Sequence, residues 1–500
     1  MRRVQQWLTN LRFFELPKFS KAALPPFAAI SPKIRVSSVR GYVDLIDIHG
    51  VAGWVLNEHV ALDELAVHIT IGTEYLGSAR ANIEAPDQID LGLPSNARRF
   101  RFRFPHTISY ADLPRVEVTE GATNQPLDGG FEYFRSYLAK KYATPELGGP
   151  YCLFFEASAN PDPLAKHYHV TVAGDIRVAS ERASHVQPCA DGEIRARLTL
   201  GLPTRGRAEG LWFYSPATNL GFRYEATIAE PSDDLIVVNL SYECDGTPFT
   251  MPLTAIPVGD LGTECATSIP EPDMIKRVIG HYWDAWTSYV VGGWTNVVHL
   301  DWMCQKYLER SLAELDTILD WGCGCARNTQ PLIKIAPGAR IHGIDIDPVN
   351  IAWSKQHVVG ATFDVSGLFP PLSFANDTFD IVYGLSIFTH LTEPTQDLWL
   401  AELRRVLRPG GIAFLSYHGE AAAYSREFSV DMIENYRQRG IEDYVVDDAL
   451  TGVIEKEDYY RSTFHTTDYL YHQWSKYFDI VGIEPMTCGH QWFAICKKPS

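Results

Sequence analysis

The sequence predicts a multidomain protein, with two N-terminal β-rich, sandwich-like domains followed by a C-terminal doubly wound α/β domain. Three observations carry this reading. The chain has 500 residues, of which 46% are hydrophobic and 21% charged, a balance that supplies two to four ordinary cores at about 150 residues per domain. Across residues 41–260 apolar side chains recur at a period of two, broken at short intervals by turn formers. From about Met274 onward short apolar strands alternate with helical patterns, as in a parallel sheet covered on both faces.

Residues 1–40 form a basic tail. Arg2, Arg3, Arg12, Lys18, Lys21, Lys33, Arg35 and Arg40 face one acid, Glu15. Val4, Trp7, Leu8 and Leu11 fall at helical spacing, so a short amphipathic helix would lie on an anionic membrane surface, on a partner, or on its own protein. The whole chain is nonetheless acidic, with 44 Lys and Arg against 61 Asp and Glu, a field that repels phosphate backbones and argues against nucleic acid as a partner. No apolar run approaches the ~20 residues that span a bilayer, and no leader with a cleavage site opens the chain. Nine cysteines without paired metal-ligand spacing fit reduced thiols and a cytoplasmic location.

Residues 41–140 read as a β-sandwich domain. In AVHITIG, Val67, Ile69 and Ile71 point one way while His68 and Thr70 point the other. RRFRFRFP alternates strictly, with Phe100, Phe102 and Phe104 on one face and Arg99, Arg101 and Arg103 on the other. That cationic face would grip an anionic ligand or simply be solvated. Residues 149–260 form a second β-rich domain built from HYHVTVAG, EIRARLTLGL, LGFRYEATIA and LIVVNLSYE, in which no metal, nucleophile or phosphate motif is evident. LGTECATSIPEPD reads as the hinge to the domain at 270–500.

The chemistry concentrates in that last domain. TILDWGCGCARN places a strand, Thr317 to Leu319, before Asp320 and a glycine turn. Gly322 allows the tight turn, Gly324 lets a ligand approach the backbone, and Ala326 occupies the third small position. A helix follows from Asn328 or Thr329 to Pro337-Gly338. The next strand, RIHGIDID, ends in Asp345, 21 residues beyond Gly324, the separation expected of a carboxylate that accepts both ribose hydroxyls of a nucleoside. Asp347 reads as a helix N-cap with Pro348 at the first helical position. A nicotinamide dinucleotide and other nucleosides both remain open at this point.

Four ordered segments, ILDWGCGCAR, IHGIDIDP, PPLSFANDTFDIVYGLSIFTHL and ELRRVLRPGGIAFLSYHG, resemble the motif series of class I S-adenosylmethionine-dependent methyltransferases. The resemblance covers roughly the C-terminal half and none of the β-rich half. It implies a Rossmann-like domain that binds S-adenosyl-L-methionine and transfers its methyl group without a metal. By this resemblance Asp320, Gly322, Cys323 and Gly324 hold the methionine and ribose part, and Asp345 accepts from the ribose. Ile346 packs on the adenine, Asp364 and Val365 meet its edge, and Tyr383 to Leu385 line the floor beneath the methyl group. His390, in SIFTHL, is the candidate base for a hydroxyl acceptor, or else holds the strand–helix junction. His418, His465 and His490 are weaker rivals. Cys323 and Cys325 lack the further ligands of a zinc site. The wording PPLSF, SIFTHL and RVLRPGG is similar to methyltransferases found among glycan-building enzymes, and GYVDLIDIHGVAGWVL resembles a β-domain met beside glycosyltransferases. The implied acceptor is therefore a small molecule or the sugar of a surface glycan, methylated on oxygen. The alternative is a degenerate methyltransferase-fold scaffold whose β-domains bind a glycan or protein partner.

Overall fold

The computed structural model describes residues 38–500 apart from several stretches, the longest being 84–95, 135–150, 204–220, 424–431 and 448–458. The predicted amphipathic helix of the basic tail lies outside the described residues. Among those described, the first block has seven strands: β1 (Val39–Ile46), β2 (Gly50–Asn57), β3 (Ala66–Ile71), β4 (Glu74–Arg80), β5 (Arg98–Arg103), β6 (Val116–Glu120) and β7 (Asp128–Gly129). They form two sheets, β5-β2-β1-β7 and β4-β3-β6. The first strand begins at Val39, so Arg40 belongs to a sheet and not to the tail. The predicted alternation holds along β3, where Val67, Ile69 and Ile71 are buried and their neighbours half-buried. Both sheets contribute to one buried cluster, through Val43, Val51 and Phe100 from one and Val67, Ile69 and Val118 from the other. Arg99 is not a ligand-gripping cation: both terminal nitrogens donate to the Asp44 carboxylate at 3.0 Å, an internal ion pair between β5 and β1.

The second block contains β8 (Tyr151–Asp162), β9 (His167–Arg177), β10 (Ala183–Ala190), β11 (Glu193–Leu202), β12 (Gly221–Ala229), β13 (Leu235–Cys244) and β14 (Thr247–Pro257). Its sheets run β11-β12-β9-β8 and β10-β13-β14, every pairing antiparallel.

The C-terminal part opens with helix α1 (Pro272–Ile279), then a π-helical turn, Trp286–Val291, that runs directly into helix α2 (Gly292–Leu308). The alternating series follows: β15 (Thr317–Trp321), α3 (Thr329–Ile335), β16 (Arg340–Asp345), α4 (Pro348–His357), β17 (Thr362–Val365), β18 (Phe379–Gly384), α5 (Glu393–Val406) and β19 (Leu407–His418). Pro409-Gly410-Gly411 lies inside β19. Beyond come β20 (Ile441–Val446), β21 (Arg461–His465), α6 (Thr467–Gln473), β22 (Asp479–Pro485) and β23 (Gln491–Lys497). Strands β17, β16, β15, β18 and β19 lie side by side and parallel, and β23 then β22 continue the sheet antiparallel. Strand order reverses between β15 and β18, which is where a sheet of this kind opens a ligand crevice at its carboxyl edge.

Helix α2 is buried on all sides from Gly292 to Cys304, as only a helix enclosed by other elements can be. On one flank Thr295 Oγ1 accepts the Ala255 N–H of β14 at 3.1 Å and shares a 3.2 Å hydrogen bond with Thr254. On the other, Asn296 donates to Asn328 at 3.0 Å and the His299 ring meets Phe493 edge-on. One buried cluster therefore joins Val238 and Leu253 of the second β-block, Val297 and Leu300 of α2, and Ile318, Ile381 and Phe414 of the parallel sheet. The change of period near Met274 marks a change of secondary structure across which buried surface is continuous.

Candidate active site

The turn after β15 has the backbone its glycines suggest. Gly322 and Gly324 take φ of +76° and +53°, and Ala326, in the third small position, is also left-handed at +62°. For an alanine this costs roughly 1–2 kcal/mol. The N–H groups of Gly322 and Cys323 donate to the Ile344 carbonyl at 2.8 and 3.0 Å, tying the turn to the end of β16. Space above the turn is tight. A Cβ at 322 would collide with Ile387, and one at 324 would lie 2.8 Å from Val278 of α1.

Two carboxylates face this turn. Asp320, 1% exposed, accepts from the Thr329 hydroxyl at 2.6 Å. Burial pushes its pKa up to about 7, the Asp345 charge adding to the rise and Arg327 opposing it. Asp345 accepts the Gly324 N–H through Oδ2 and the Asp347 N–H through Oδ1, each at 2.8 Å. Burial raises it to about 6 against the pull of these backbone donors. Each carboxylate oxygen carries two lone pairs, so ligand hydroxyls can join the backbone donors at this carboxylate. Asp347 caps α4 as predicted, its Oδ1 accepting the Val349 N–H at 2.8 Å, while Oδ2 holds Arg277 of α1 at 2.8 Å. This ion pair ties the helix above the glycine turn to the helix behind it.

Sequence reasoning missed Arg327. It stands at the exit of the turn with its Nε buried and without a hydrogen-bond partner among the described residues, and its charge reaches Asp320. The available signal was a lone basic residue directly after the small-residue turn.

The remaining predicted residues divide. Ile346 is half-buried next to Asp345, and Val365, 52% exposed, presents an apolar surface at the end of β17. Asp364 is exposed and bound to Lys355 of α4 at 3.2 Å, so its charge is neutralised along the rim. Cys323 does not offer its thiol to the crevice, because the side chain packs with Ala326, Ile351 and Phe363 and burial raises its pKa well above normal. Tyr383 does not line an accessible floor: it is 0% exposed and stacked on Phe493 at 5.7 Å. Alternate strand residues point to opposite faces, so Tyr383 and the half-buried Leu385 both turn toward the cluster containing α2. Two residues past the end of β18 stands Ser386, left-handed at φ +60°. Its N–H donates to Ser416 Oγ at 2.6 Å, Ser416 donates to Gln491 Oε1 at 2.6 Å, and Gln491 Nε2 returns to Ser386 Oγ at 2.5 Å. This ring of side chains joins the ends of three strands, and no spacing rule connects residues that far apart.

His390 stands where β18 leads into α5. Its Nδ1 lies 2.9 Å from the Arg461 carbonyl and 3.5 Å from Asp447 Oδ2, and its ring stacks on Tyr460 with centroids 3.9 Å apart. Burial and the charges of Asp447 and Asp345 raise the Tyr460 phenol well above its ordinary range, which places the His390–Tyr460 stack within electrostatic reach of Asp345. His465 is fully buried against Gln396 at 2.8 Å and is pushed down to about 3 by that burial. His418 is buried and stacked on Phe464, and His490 lies outside the described residues.

A parallel sheet whose order reverses beside a left-handed glycine turn, with a carboxylate ending the next strand, defines a nucleoside-binding α/β domain. Residues 318–411 match the family described as "Methyltransferase domain", and this C-terminal region is a class I S-adenosylmethionine-dependent methyltransferase domain. An uncharacterized methyltransferase of Schizosaccharomyces pombe is 27% identical over 143 residues, 26% of this chain and 50% of that protein. A ubiquinone biosynthesis O-methyltransferase of Mesorhizobium japonicum is 30% identical over 102 residues, 20% of this chain and 39% of that protein. Among solved structures, a SAM-dependent methyltransferase of Methanosarcina mazei aligns at 21% identity with a TM-score of 0.31, covering 39% of this chain and 97% of that one. The chain spans about half the length, or less, of these curated relatives. The site residues fit S-adenosylmethionine: Arg327 Nε, without a hydrogen-bond partner among the described residues, suits its carboxylate, and the Asp345 carboxylate suits its ribose hydroxyls.

Proposed function

We propose that this protein methylates a hydroxyl group of an acceptor, using S-adenosylmethionine, with His390 as the base. The observation that carries this reading is the setting of His390. A carbonyl 2.9 Å from Nδ1 keeps the proton on that nitrogen and the lone pair on Nε2. Asp447 stands by to stabilise the imidazolium once a proton is taken.

The cofactor supplies a methyl carbon activated by a neighbouring positive sulfur, so the protein's work is alignment and exclusion of water. Arg327 would hold the cofactor's carboxylate, Asp345 its ribose hydroxyls and Ile346 one face of its adenine. Ile387 and Val278 close over the glycine turn and keep water from it. Beside His390, Phe369, Thr392, Leu398, Tyr459 and Arg461 line a 290 Å³ cleft. Aromatic faces together with hydroxyl and guanidinium donors suit a sugar. We assign the acceptor to a small molecule or glycan sugar on this lining and on the sequence likeness to methyltransferases of glycan-building systems. The test is transfer of labelled methyl to a panel of sugars and glycans. His390→Gln should lower kcat by roughly a hundredfold or more with cofactor affinity unchanged. Undiminished kcat in that variant would remove the base from the reading, and transfer to carbon or nitrogen acceptors alone would remove the hydroxyl.

A further inference from the structure

The methyltransferase domain leaves unused a cluster in the second β-block. Strands β8 and β9 form a hairpin in which Asp162 pairs in register with His167. His167 and His169 are two residues apart on β9 and so project from the same face, while Tyr168 between them turns into the core. The His167 Nε2 and Asp162 Oδ2 atoms are 3.7 Å apart, the two imidazole rings meet edge-on with centroids 4.8 Å apart, and one ligating atom from each of the three residues lies within 4.8 Å of the others. We propose that Asp162, His167 and His169 bind a divalent transition-metal ion of the zinc class.

The ligand set selects the ion. Two imidazoles and one carboxylate suit zinc, cobalt, nickel or copper, whereas calcium and magnesium require mostly oxygen. Metal–ligand distances of about 2.0–2.2 Å in a tetrahedral site put ligating atoms roughly 3.3–3.6 Å apart. The 3.7 Å pair is almost there, and small side-chain rotations bring in the third. The supporting contacts also fit. Asp162 Oδ1 accepts the N–H groups of Leu164 and Ala165 at 3.1 and 3.2 Å, which fixes the carboxylate with Oδ2 toward His167. The Thr227 hydroxyl, itself held by Arg195 Nε at 3.1 Å, lies 3.5 Å from His169 Nδ1. An imidazole donating there presents its Nε2 lone pair to a metal, the usual arrangement behind a ligating histidine. Three protein ligands at a partly exposed face leave a coordination position for water or an oxygen-bearing ligand. No local spacing in this block reads as a metal motif, because Asp162 joins the histidines only across the hairpin.

The test uses the full chain, stripped with chelator and titrated with Co²⁺. One equivalent should bind with the visible absorption of a nitrogen- and oxygen-ligated ion, and Zn²⁺ should displace it. Asp162→Asn and His167→Ala should each weaken binding tenfold or more, and Thr227→Val by about tenfold through the supporting contact. S-adenosylmethionine affinity, measured on the same variants, should stay at the parent value and show that they are folded. Binding that persists in a His167→Ala/His169→Ala double variant, or a thiolate absorption band lost on Cys189→Ser, would overturn the proposal, as would failure of the parent to bind one equivalent.

Discussion

The Asp345 carboxylate accepts the backbone N–H groups of Gly324 and Asp347 at 2.8 Å each, and in the proposed function it also takes the cofactor's ribose hydroxyls. Asp345→Ala should therefore loosen the glycine turn as well as strip the ribose of its acceptor. With charge-assisted hydrogen bonds worth about 1.5–3 kcal/mol each, calorimetry should show cofactor affinity down tenfold or more and a lower melting temperature. The same carboxylates set a pH dependence. Burial raises Asp320 to about 7 and Asp345 to about 6, so the cofactor-free fold holds protons that the unfolded chain releases near pH 4. Their contribution to stability is present at low pH and is lost as pH rises toward 7. A cofactor bearing positive charge favours the ionised forms. Its affinity should rise between pH 5 and 7 with net proton release on binding, measurable by calorimetry in buffers of different ionisation enthalpy, and Asp320→Asn should flatten the rise. Gly322→Val forces a β-branched residue into a left-handed backbone against Ile387. It should abolish cofactor binding while circular dichroism retains the β-rich signal.

At the scale of elements, the sequence placed β15, α3, β16 and α4 closely, because each carries its own punctuation. Asp347 and Pro348 mark a helix start, Pro337 and Gly338 an end, and Asp345 closes β16. It erred where an element's orientation is set by its neighbours. Tyr383 lies near the end of β18, yet it faces α2 and not the crevice, since a strand buried along its whole length does not show in its sequence which face meets the ligand. Helix α2 shows the same limit. Its polar residues, Thr295, Asn296 and His299, suggest an exposed face until β14, the turn at Asn328 and Phe493 are seen to cover them. Thr295→Val keeps the shape but leaves the buried Ala255 N–H unpaired, a loss of about 1–3 kcal/mol. Denaturant unfolding should show that loss, with cofactor affinity unchanged.

At the scale of the molecule, α2 is held between β14 and the parallel sheet, so the methyltransferase domain and the second β-block share buried surface. A fragment of residues 269–500 would expose the flank of α2 that packs on Val238 and Leu253. It should aggregate or melt well below the full chain by light scattering and calorimetry. A stable monomeric fragment that binds cofactor like the parent would show that the shared surface is dispensable. The sequence by itself determined the order of strands and helices, the glycine turn, Asp345 and the methyltransferase relationship, because those depend on residues close together in the chain. Only the tertiary structure decided that Arg99 serves Asp44, that the charge of Arg327 reaches Asp320, that His390 stacks on Tyr460 near Asp447, and that Asp162 meets His167 and His169. Each of these depends on side chains brought together by strand pairing or by packing between distant segments, and on which face of an element its neighbours leave open, a property that no local pattern encodes.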